Sequence, residues 1–546
     1  MGLQVRTQMS VRQARRGVVM LAVLVVIVLM SLAAYHYSDF TLAEYQVTEQ
    51  AQRLVQARAV AASGIHYTAA LLSDATAMDT ILHNNPYHQP SAFVDVTVQI
   101  DDKKGRPGKF VLIAPPENKG DTSFRHGVTD EGGKINLNAV MKADKSGKQL
   151  LNLLNKLPNM TPEIAACIVD WLDTDSTPGD GGAEDDYYSS LSVPYRCKNG
   201  PLDSLEELLL VKGVTPELLF GLDRNRNGMV DPEEDDGSGT ADLGWAAYLT
   251  IYSREDTTDE QGQPLTYLND SDMATLYDKL TTLTSEDLAK FVLLYRNNGS
   301  SSSSSKSSSS SSANNAQSTS SSSNQNSSKG SKDSSGKSGT DSAPEVKPGN
   351  LADLSKDSLV SGKGSSGKFS SVFDLIDAQV SVPGKDNKSP TLVYQSPLTS
   401  KDASGLRDLL PKLLLNTTAS KNGYYGRVNI ITAPQEVLTA LPNLAQSDID
   451  TIVSMRPSLS ADEAPDPIYK TLAWLVTDAK LPVTTVKNLE KYITTRSAVY
   501  RVQVVGTLDV GMTARVEAVI DTNGGQPRFL LWRDLTELGK GGSVGP

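Results

Sequence analysis

Apolar residues run without a break from position 18 to position 30, and only Ser31 interrupts the run before Ala34. A helix rises about 1.5 Å per residue, so this stretch is long enough to span the hydrocarbon core of a bilayer. Arg6, Arg12, Arg15 and Arg16 precede it, and a basic flank of this kind stays in the cytoplasm. From Phe40 to about Leu82 there is no proline and one glycine, Gly64. Leu42, Tyr45, Val47, Ala51, Leu54, Val55, Arg58, Ala61 and Ala62 keep a helical rhythm there. The pattern predicts one long helix that begins in a membrane and continues outside it.

Beyond the helix the period changes. Residues 94–102 alternate, a Gly-Arg-Pro-Gly turn follows, and residues 109–115 return as a second strand. A third short strand, 133–138, leads away from that hairpin. Residues 497–535 alternate as three strands with a Gly-rich turn. Between these ends lies an internal repeat. Leu154-x-x-Leu157-Pro158-Asn159-Met160 is matched by Leu438-x-x-Leu441-Pro442-Asn443-Leu444, and Ile168-Val169 by Ile452-Val453. A shorter relative is Leu208-x-x-Val211-Lys212-Gly213-Val214. Thr161-Pro162-Glu163 and Thr215-Pro216-Glu217 each read as a helix start: Thr caps, Pro takes the first helical position and Glu faces the positive end of the dipole. Each unit is expected to be a small helix, a tight turn and a helix. Residues 244–296 are again helical, with Ser285 at a helix start. Residues 299–347 are mostly Ser with Asn, Lys and Gly, too poor in apolar groups to offset the entropy of ordering, and read as a linker. Residues 370–382 restart the fold as a short helix and strand.

The 546 residues are too many for one ordinary core. A net charge of -12 argues against nucleic acid as a general partner, since phosphate binding needs a basic face. Helix–hairpin–helix units often do bind nucleic acid, through the N–H groups of a Gly-x-Gly hairpin. Here the hairpins read Pro-Asn-Met, Lys-Gly-Val and Pro-Asn-Leu in acidic surroundings, so helical packing is the expected role and no nucleic acid is expected. The five histidines form neither an HxH nor an HExxH motif, and no Ser/His/Asp or Cys/His arrangement suggests an enzyme. Cys167 and Cys197 leave two alternatives: a pair in an oxidising compartment, or one buried thiol and one loop thiol.

Two acidic loops carry the candidate chemistry. Residues 223–234 fit the EF-type calcium loop position by position, with Asp223, Asn225, Asn227, the carbonyl of Met229, Asp231 and Glu234 as ligands and Gly228 at the sharp turn. Pro232 and the Asp-Asp-Gly-Ser-Gly that follows forbid a normal exiting helix, so a structural clamp is expected rather than a sensor. In the other loop, Asp173, Asp175, Asp180, Glu184, Asp185 and Asp186 crowd a Gly-rich turn, and hard oxygen ligands in such a loop suit Ca²⁺. The alternative is a solvated acidic loop.

The N-terminal segment alone allows three fates: a cleaved secretory signal with Ser31-Leu32-Ala33 at the cut, an uncleaved signal anchor, or a cut after Gly17 that leaves Val18 as the first residue of a mature helix. The helix behind it favours the third. Residues 15–30, RRGVVMLAVLVVIVLM, resemble the prepilin-peptidase site and membrane helix of the minor pseudopilin K family of bacterial type II secretion. Trp171-x-Asp173-x-Asp175 with Gly182-Ala183-Glu184 and the following tyrosines resembles that family's calcium-linked helical insert, and the closing Leu530-Leu531-Trp532-Arg533 is similar to its last strands. The Ser-rich segment and the EF-type loop depart from the compact family pattern.

The resemblance implies an α+β fold: a pilin-like long helix and small antiparallel sheet, with a large, mostly α-helical inserted domain containing helix–hairpin–helix-like units. It divides the chain into a leader (1–17), the membrane part of the helix (18–34), its outer part (35–82) and the first pilin-like strands (83–134). The helical insert (135–296), Ser-rich linker (297–350) and a return segment of the pilin-like domain (351–427) follow. A second helical hairpin unit (428–495), the final strands (496–535) and a tail (536–546) complete it. The implied function is non-enzymatic: a subunit cut by prepilin peptidase that initiates or caps the pseudopilus at its tip. Most pilin-like subunits have a glutamate five residues into the mature chain; the matching residue here is Ala22, a neutrality that the family links to the tip. Implied partners are the other minor pseudopilins, the major pseudopilin, the peptidase and the inner-membrane secretion platform, with secreted proteins as cargo of the machine and structural Ca²⁺ as cofactor. The implied location is the bacterial inner membrane, single-pass, N-terminus cytoplasmic and bulk periplasmic. The alternatives are a minor pilin of a type IV pilus and a membrane-anchored helix–hairpin–helix protein of DNA uptake.

Overall fold

In a computed structural model of the protein, seventy residues fold as one helix, α1 (Gln4–Ser73), about 105 Å long. The structure describes residues 4–98, 107–118, 121, 123–238, 241–259, 261–299, 346–362, 366–384, 389–421, 423–461, 463–508, 511–539 and 541, with side chains from residue 18 onward. The Gly-Arg pair of the first hairpin turn, the Ser-rich stretch 300–345 and tail residues 540 and 542–546 lie outside the described residues, as do the first three residues of the leader.

The part of α1 from Val18 on is long and apolar enough to cross a membrane, and every side chain from 18 to 53 is exposed. From Ala57 the helix becomes amphipathic. Ala57, Val60, Ala61, Ile65, Thr68, Ala69 and Leu72 recur at spacings of three and four and are buried against a sheet. The expected continuation to Leu82 is not found. Asp74 turns extended and its carboxylate accepts the N–H groups of Thr76 (2.8 Å) and Ala77 (3.3 Å), ending α1 and capping a separate short helix, Ala75–Thr80. Helical spacing continued through this stretch; the cap overrode it.

The sheet runs, in spatial order, Val96–Val98, Gly108–Ile113, Val499–Leu508, Met512–Asp521 and Arg528–Asp534, all antiparallel, with Thr129–Asp130 also paired to the central strand. Alternation gives it two unlike faces. Leu112, Val502, Val504, Val516, Ala518 and Ile520 meet α1. The other face carries Val111, Ile113 and Val505 but also Arg501, Gln503, Arg515 and Glu517. Helix and sheet approach most closely at two glycines. A Cβ on Gly506 would stand 2.5 Å from the Ala57 carbonyl oxygen and 2.6 Å from the Ala61 nitrogen, and one on Gly64 would stand 2.7 Å from Val504.

Between the first and last strands the chain builds a second core, continuous from Ile135 to Ile493. The sequence repeat is also a structural one. Ile135–Asn136 pairs in parallel with Leu249–Thr250, and Val428–Asn429 pairs in parallel with Ile493–Thr494. Each leads, the first after an additional helix (Leu137–Ala143), into two helices joined at a turn: Lys148–Leu154 to Pro162–Leu172, and Gln435–Ala440 to Gln446–Met455. Asn159 (φ 57°) and Asn443 (φ 60°) take the left-handed conformation in the two turns, which asparagine tolerates better than most side chains. Thr161 and Thr215 accept the N–H groups of Ile164 and Leu218, with proline next in line, as the sequence suggested. In the shortest copy the first element is a 3₁₀ turn, Leu205–Leu210.

One expected boundary is corrected. The described residues of 351–427 do not return to the pilin-like sheet. Gln379–Val382 and Thr391–Gln395 pair with each other and with Val346–Pro348, while Phe373, Leu375, Val380, Leu406, Leu410 and Leu413 join the core of the helical lobe. Residues 428–495 belong to that same core rather than to a flanking unit. Alternation specifies a strand without naming its partner.

Candidate functional site

The first acidic loop leaves the helix Pro162–Leu172, whose last turns bury Asp170, Trp171 and Leu172. Asp173 caps its end and the chain doubles back through a Gly-rich turn to Glu184. This brings Asp173, Asp175 and Glu184 together, with one carboxylate oxygen of each within 4.8 Å of the others. Asp180, also expected as a ligand, lies outside that group on the exposed part of the turn. Sequence reasoning missed Asp170, which is 3% exposed and shapes the loop by accepting N–H bonds from Gly179 (3.1 Å) and Ala183 (2.8 Å). Its position three residues before Asp173, one helical turn back, was the available signal.

The electrostatics of this loop are those of carboxylates short of a positive neighbour. Burial pushes Asp173 up to about 6, and the charges of Asp175 and Asp170 add to the effect. Burial likewise raises Asp170 and Glu184. Glu184 is 4% exposed, and neither of its carboxylate oxygens accepts a hydrogen bond of normal geometry, although the Cys197 and Asn199 side chains lie alongside. The amide oxygen of Asn199 is also buried without a partner, while its N–H₂ donates to the Asp175 carbonyl. A buried carboxylate with unused lone pairs is costly unless a cation takes them. Three carboxylates and a free amide oxygen are the donor set of a hard divalent ion, so these residues fit one.

Around the loop pack Trp171, Tyr188 and Tyr195, with Trp171 and Tyr188 edge to face at 5.1 Å between ring centres. Both cysteines sit here as separate buried thiols, Cys167 donating to the Gly181 carbonyl and Cys197 to that of Asp170. Burial raises Cys167 and pushes Cys197 up to about 12, so neither is poised as a thiolate.

The second loop, 223–234, is closed on itself. Asp223 accepts the N–H groups of Gly228 (2.8 Å) and Asn227 (3.0 Å), and Glu234 accepts those of Asn225 (2.9 Å) and Asp231 (3.2 Å). Gly228 has φ 86°, the conformation the sharp turn demands. The Asn225 and Asn227 amides both donate to Asp231, at 2.6 and 2.7 Å. The N–H of Met229 binds the Asn227 side chain, and burial pushes Asp223 up to about 6. Asp223, Asn225, Asn227, Met229, Asp231 and Glu234 are thus gathered in one loop, and the donor types match a calcium loop. Residues 222–238 form turns, with no helix among them.

That loop sits against the polar face of the sheet. Gln503 donates to the Arg226 carbonyl (2.7 Å), Arg515 to that of Asn225, and Asn227 to that of Gly541 (2.7 Å). Beside it, Arg501 binds Glu131 (2.7 Å) and Glu517 (3.0 Å), and Arg533 binds Glu206 at 2.5 Å. A cavity of about 310 Å³ remains between lobe and sheet, lined by Glu206, Arg501, Glu517 and Arg533 together with Phe220 and Tyr252. Two of the helical hairpins are tied to neighbouring parts of the lobe. The Pro158 carbonyl accepts from Trp245 (2.9 Å), Asn159 binds Asp242 (3.0 Å), and the Leu441 carbonyl accepts from Lys156 (3.1 Å).

Comparison with known proteins adds independent findings. Residues 133–224 match the family model described as type II secretion system protein K. The type II secretion system protein K of Pectobacterium carotovorum subsp. carotovorum is 39% identical over 69 residues, covering 13% of this chain and 21% of that protein. That of Klebsiella pneumoniae is 27% identical over 215 residues, 37% of this chain and 60% of that protein. The matched stretches therefore span about a fifth and three-fifths of these relatives' lengths. Among solved structures, the GspK-GspI-GspJ complex from the enterotoxigenic Escherichia coli type 2 secretion system aligns at 13% identity and a TM-score of 0.35, over 89% of this chain and 98% of that one.

Proposed function

We propose, from the match of residues 133–224 to type II secretion system protein K and the similarity to its relatives, that the chain is a non-enzymatic minor pseudopilin of that family, cut after Gly17 and placed at the pseudopilus tip. The observation that carries the reading is the division of labour along α1: every side chain from 18 to 53 is bare, whereas 57–72 is packed on the sheet. A helix so exposed has apolar positions to give to lipid below and to neighbouring helices above. Residues 18–34 hold the protein in the inner membrane, with the bulk in the periplasm. Residues 35–53 pack against the helices of the other minor pseudopilins and of the major one. Ala22 carries no carboxylate to pair with an amine of a preceding subunit, which suits a subunit with none above it. The lobe from 135 to 495 is far bulkier than the sheet, which suits the tip rather than the shaft.

Calcium is part of the proposal. Asp173, Asp175 and Glu184 would hold one ion, and Asp223, Asn225, Asn227, the Met229 carbonyl, Asp231 and Glu234 another. Bound Ca²⁺ supplies positive charge that ties oxygen ligands from separated residues into one rigid loop. The prepilin peptidase, the secretion platform and the secreted cargo complete the proposed partners, and the paired helices are proposed as packing units, not nucleic-acid binders.

The test is the mature N-terminal residue. Expressed with its peptidase, the protein should begin at Val18 by mass spectrometry, and Gly17→Ala should leave it at full length. Cleavage after Ala33, or normal processing of the Gly17 variant, would overturn the assignment.

A further inference from the structure

The polar face of the sheet contains a group that local stability does not explain. Arg515, in the strand Met512–Asp521, is 1% exposed, and its Nε and Nη1 have no hydrogen-bond partner among the described residues. Only Nη2 is engaged, donating to the carbonyl of Asn225 in the 223–234 loop. A guanidinium stays charged when buried, and two unused donors make it more costly than an apolar side chain of the same size. What surrounds it is acidic. Burial lowers its proton affinity, while Asp223, Glu517, Asp231 and Glu234 act in the opposite direction, and three of those four belong to the loop. The loop is also fixed to the sheet around this arginine. Gln503 holds the Arg226 carbonyl, Gly541 receives Asn227, and Gly228 lies so close to Pro115 that a Cβ would stand 2.3 Å from it.

We propose that Arg515 is the internal counter-charge of the 223–234 loop: it holds the acidic loop on the sheet in the absence of a divalent cation and, by repulsion, sets the loop's affinity for Ca²⁺ low. The inference rests on the calcium reading above and extends it. Because the arginine comes from the sheet and the ligands from the lobe, occupancy of the loop and the seating of the lobe become one equilibrium. Repulsion between a buried guanidinium and a divalent ion is strong because little water screens it, whereas the contact to Asn225 is to a backbone oxygen and leaves the carboxylates free to bind.

The experiment is calorimetric Ca²⁺ titration of the full chain in detergent micelles. Glu234→Gln identifies the binding step that belongs to this loop. Arg515→Met, which removes the charge and keeps the bulk, should tighten that step at least tenfold, about 1.4 kcal/mol. Arg515→Gln is a second neutral variant that carries the test should the methionine fail to fold, and Arg515→Lys should stay within about threefold of the parent. If Glu234→Gln removes a step whose affinity is unchanged or weaker in the neutral variants, the calcium reading stands and the role of Arg515 is refuted. A tenfold gain with lysine would refute it equally. If no step responds to Glu234→Gln in the parent or in the Arg515 variants, the calcium reading of this loop falls, and the proposal with it.

Discussion

Gly506→Ala should lift α1 off its sheet. The glycine lies in the central strand where the Ala57 carbonyl and the Ala61 nitrogen cross it, and an added Cβ would stand 2.5 and 2.6 Å from them. Both obstacles are backbone, so no rotamer can relieve the contact, and reaching ordinary contact at 3.4 Å requires a shift of about 0.8–0.9 Å. Val60, Ile65, Leu71 and Leu72 on the buried side of the helix are each worth about 1.5–3 kcal/mol. A gap of that size forfeits a quarter to a half of close-contact energy, so the expected loss is roughly 2–4 kcal/mol, at or above the usual cost of overpacking. Without the helix, the same substitution would be neutral or slightly stabilising, because alanine restricts the unfolded chain. Urea unfolding of the full chain in detergent, followed by tryptophan emission, measures the loss; Trp532 is the one tryptophan of the sheet, the other three lying in the lobe. A change under about 0.5 kcal/mol would refute the steric account. So would rescue by Ala61→Gly, which removes a side chain and leaves the backbone obstacle in place.

Two further outcomes follow from the charged groups. Chelation of Ca²⁺ should lower the melting temperature of the full chain, and Glu184→Gln should remove most of the difference; a melting temperature indifferent to chelator would take calcium out of the account. Glu131 is buried, yet Arg501 and Lys134 outweigh its desolvation and hold its carboxyl down at about 2. Its folded pKa lies below its unfolded one near 4.5, so it contributes stability that is complete above that value and is lost as the pH falls toward about 2. Glu131→Gln should cost about 3–5 kcal/mol at neutral pH, since it leaves cations buried without their partner, and should flatten the acid limb of a stability profile. An acid limb identical to the parent's would contradict this.

The long helix was legible because its signal is composition sustained over many residues, and the closing strands because alternation marks them. Its end was not. Asp74 differs from the polar residues around it only through two hydrogen bonds to N–H groups that a helix through it would have used otherwise. The caps at Thr161 and Thr215 could be read, being local chemistry, and so could the repeat, whose two asparagines both turned out to occupy left-handed turns. Residues 351–427 went to the wrong partner because a strand's period does not encode its neighbour, and the choice was made by where Leu375, Val380 and Leu410 could be buried. In the acidic loop, carboxylate density did not tell which carboxylates the fold brings together: Asp173, Asp175 and Glu184. Asp180 was indistinguishable from Asp175 until the fold brought Asp175, and not Asp180, to Asp173 and Glu184, and Asp170 looked like a helix residue, which it also is.

The sheet is assembled from the two ends of the chain, and that has a consequence for the order of biosynthesis. Leu112 pairs with Val504, so its neighbour emerges from the ribosome nearly 400 residues later, about 20–80 s at ordinary rates of synthesis. Throughout that interval the membrane segment has been made, while Ile65, Leu72, Phe110 and Leu112 have no central strand to cover them. The first unit of the lobe, from Ile135 to Leu249, can pair within little more than a hundred residues, although the lobe's core is completed only at Ile493, just ahead of the central strand. The growing chain must therefore carry a partly built lobe on an unfinished base. The last strands to be made convert an apolar surface tethered at the bilayer into a folded subunit, and lesions in them should expose the nascent chain to quality-control proteases rather than merely loosen its core.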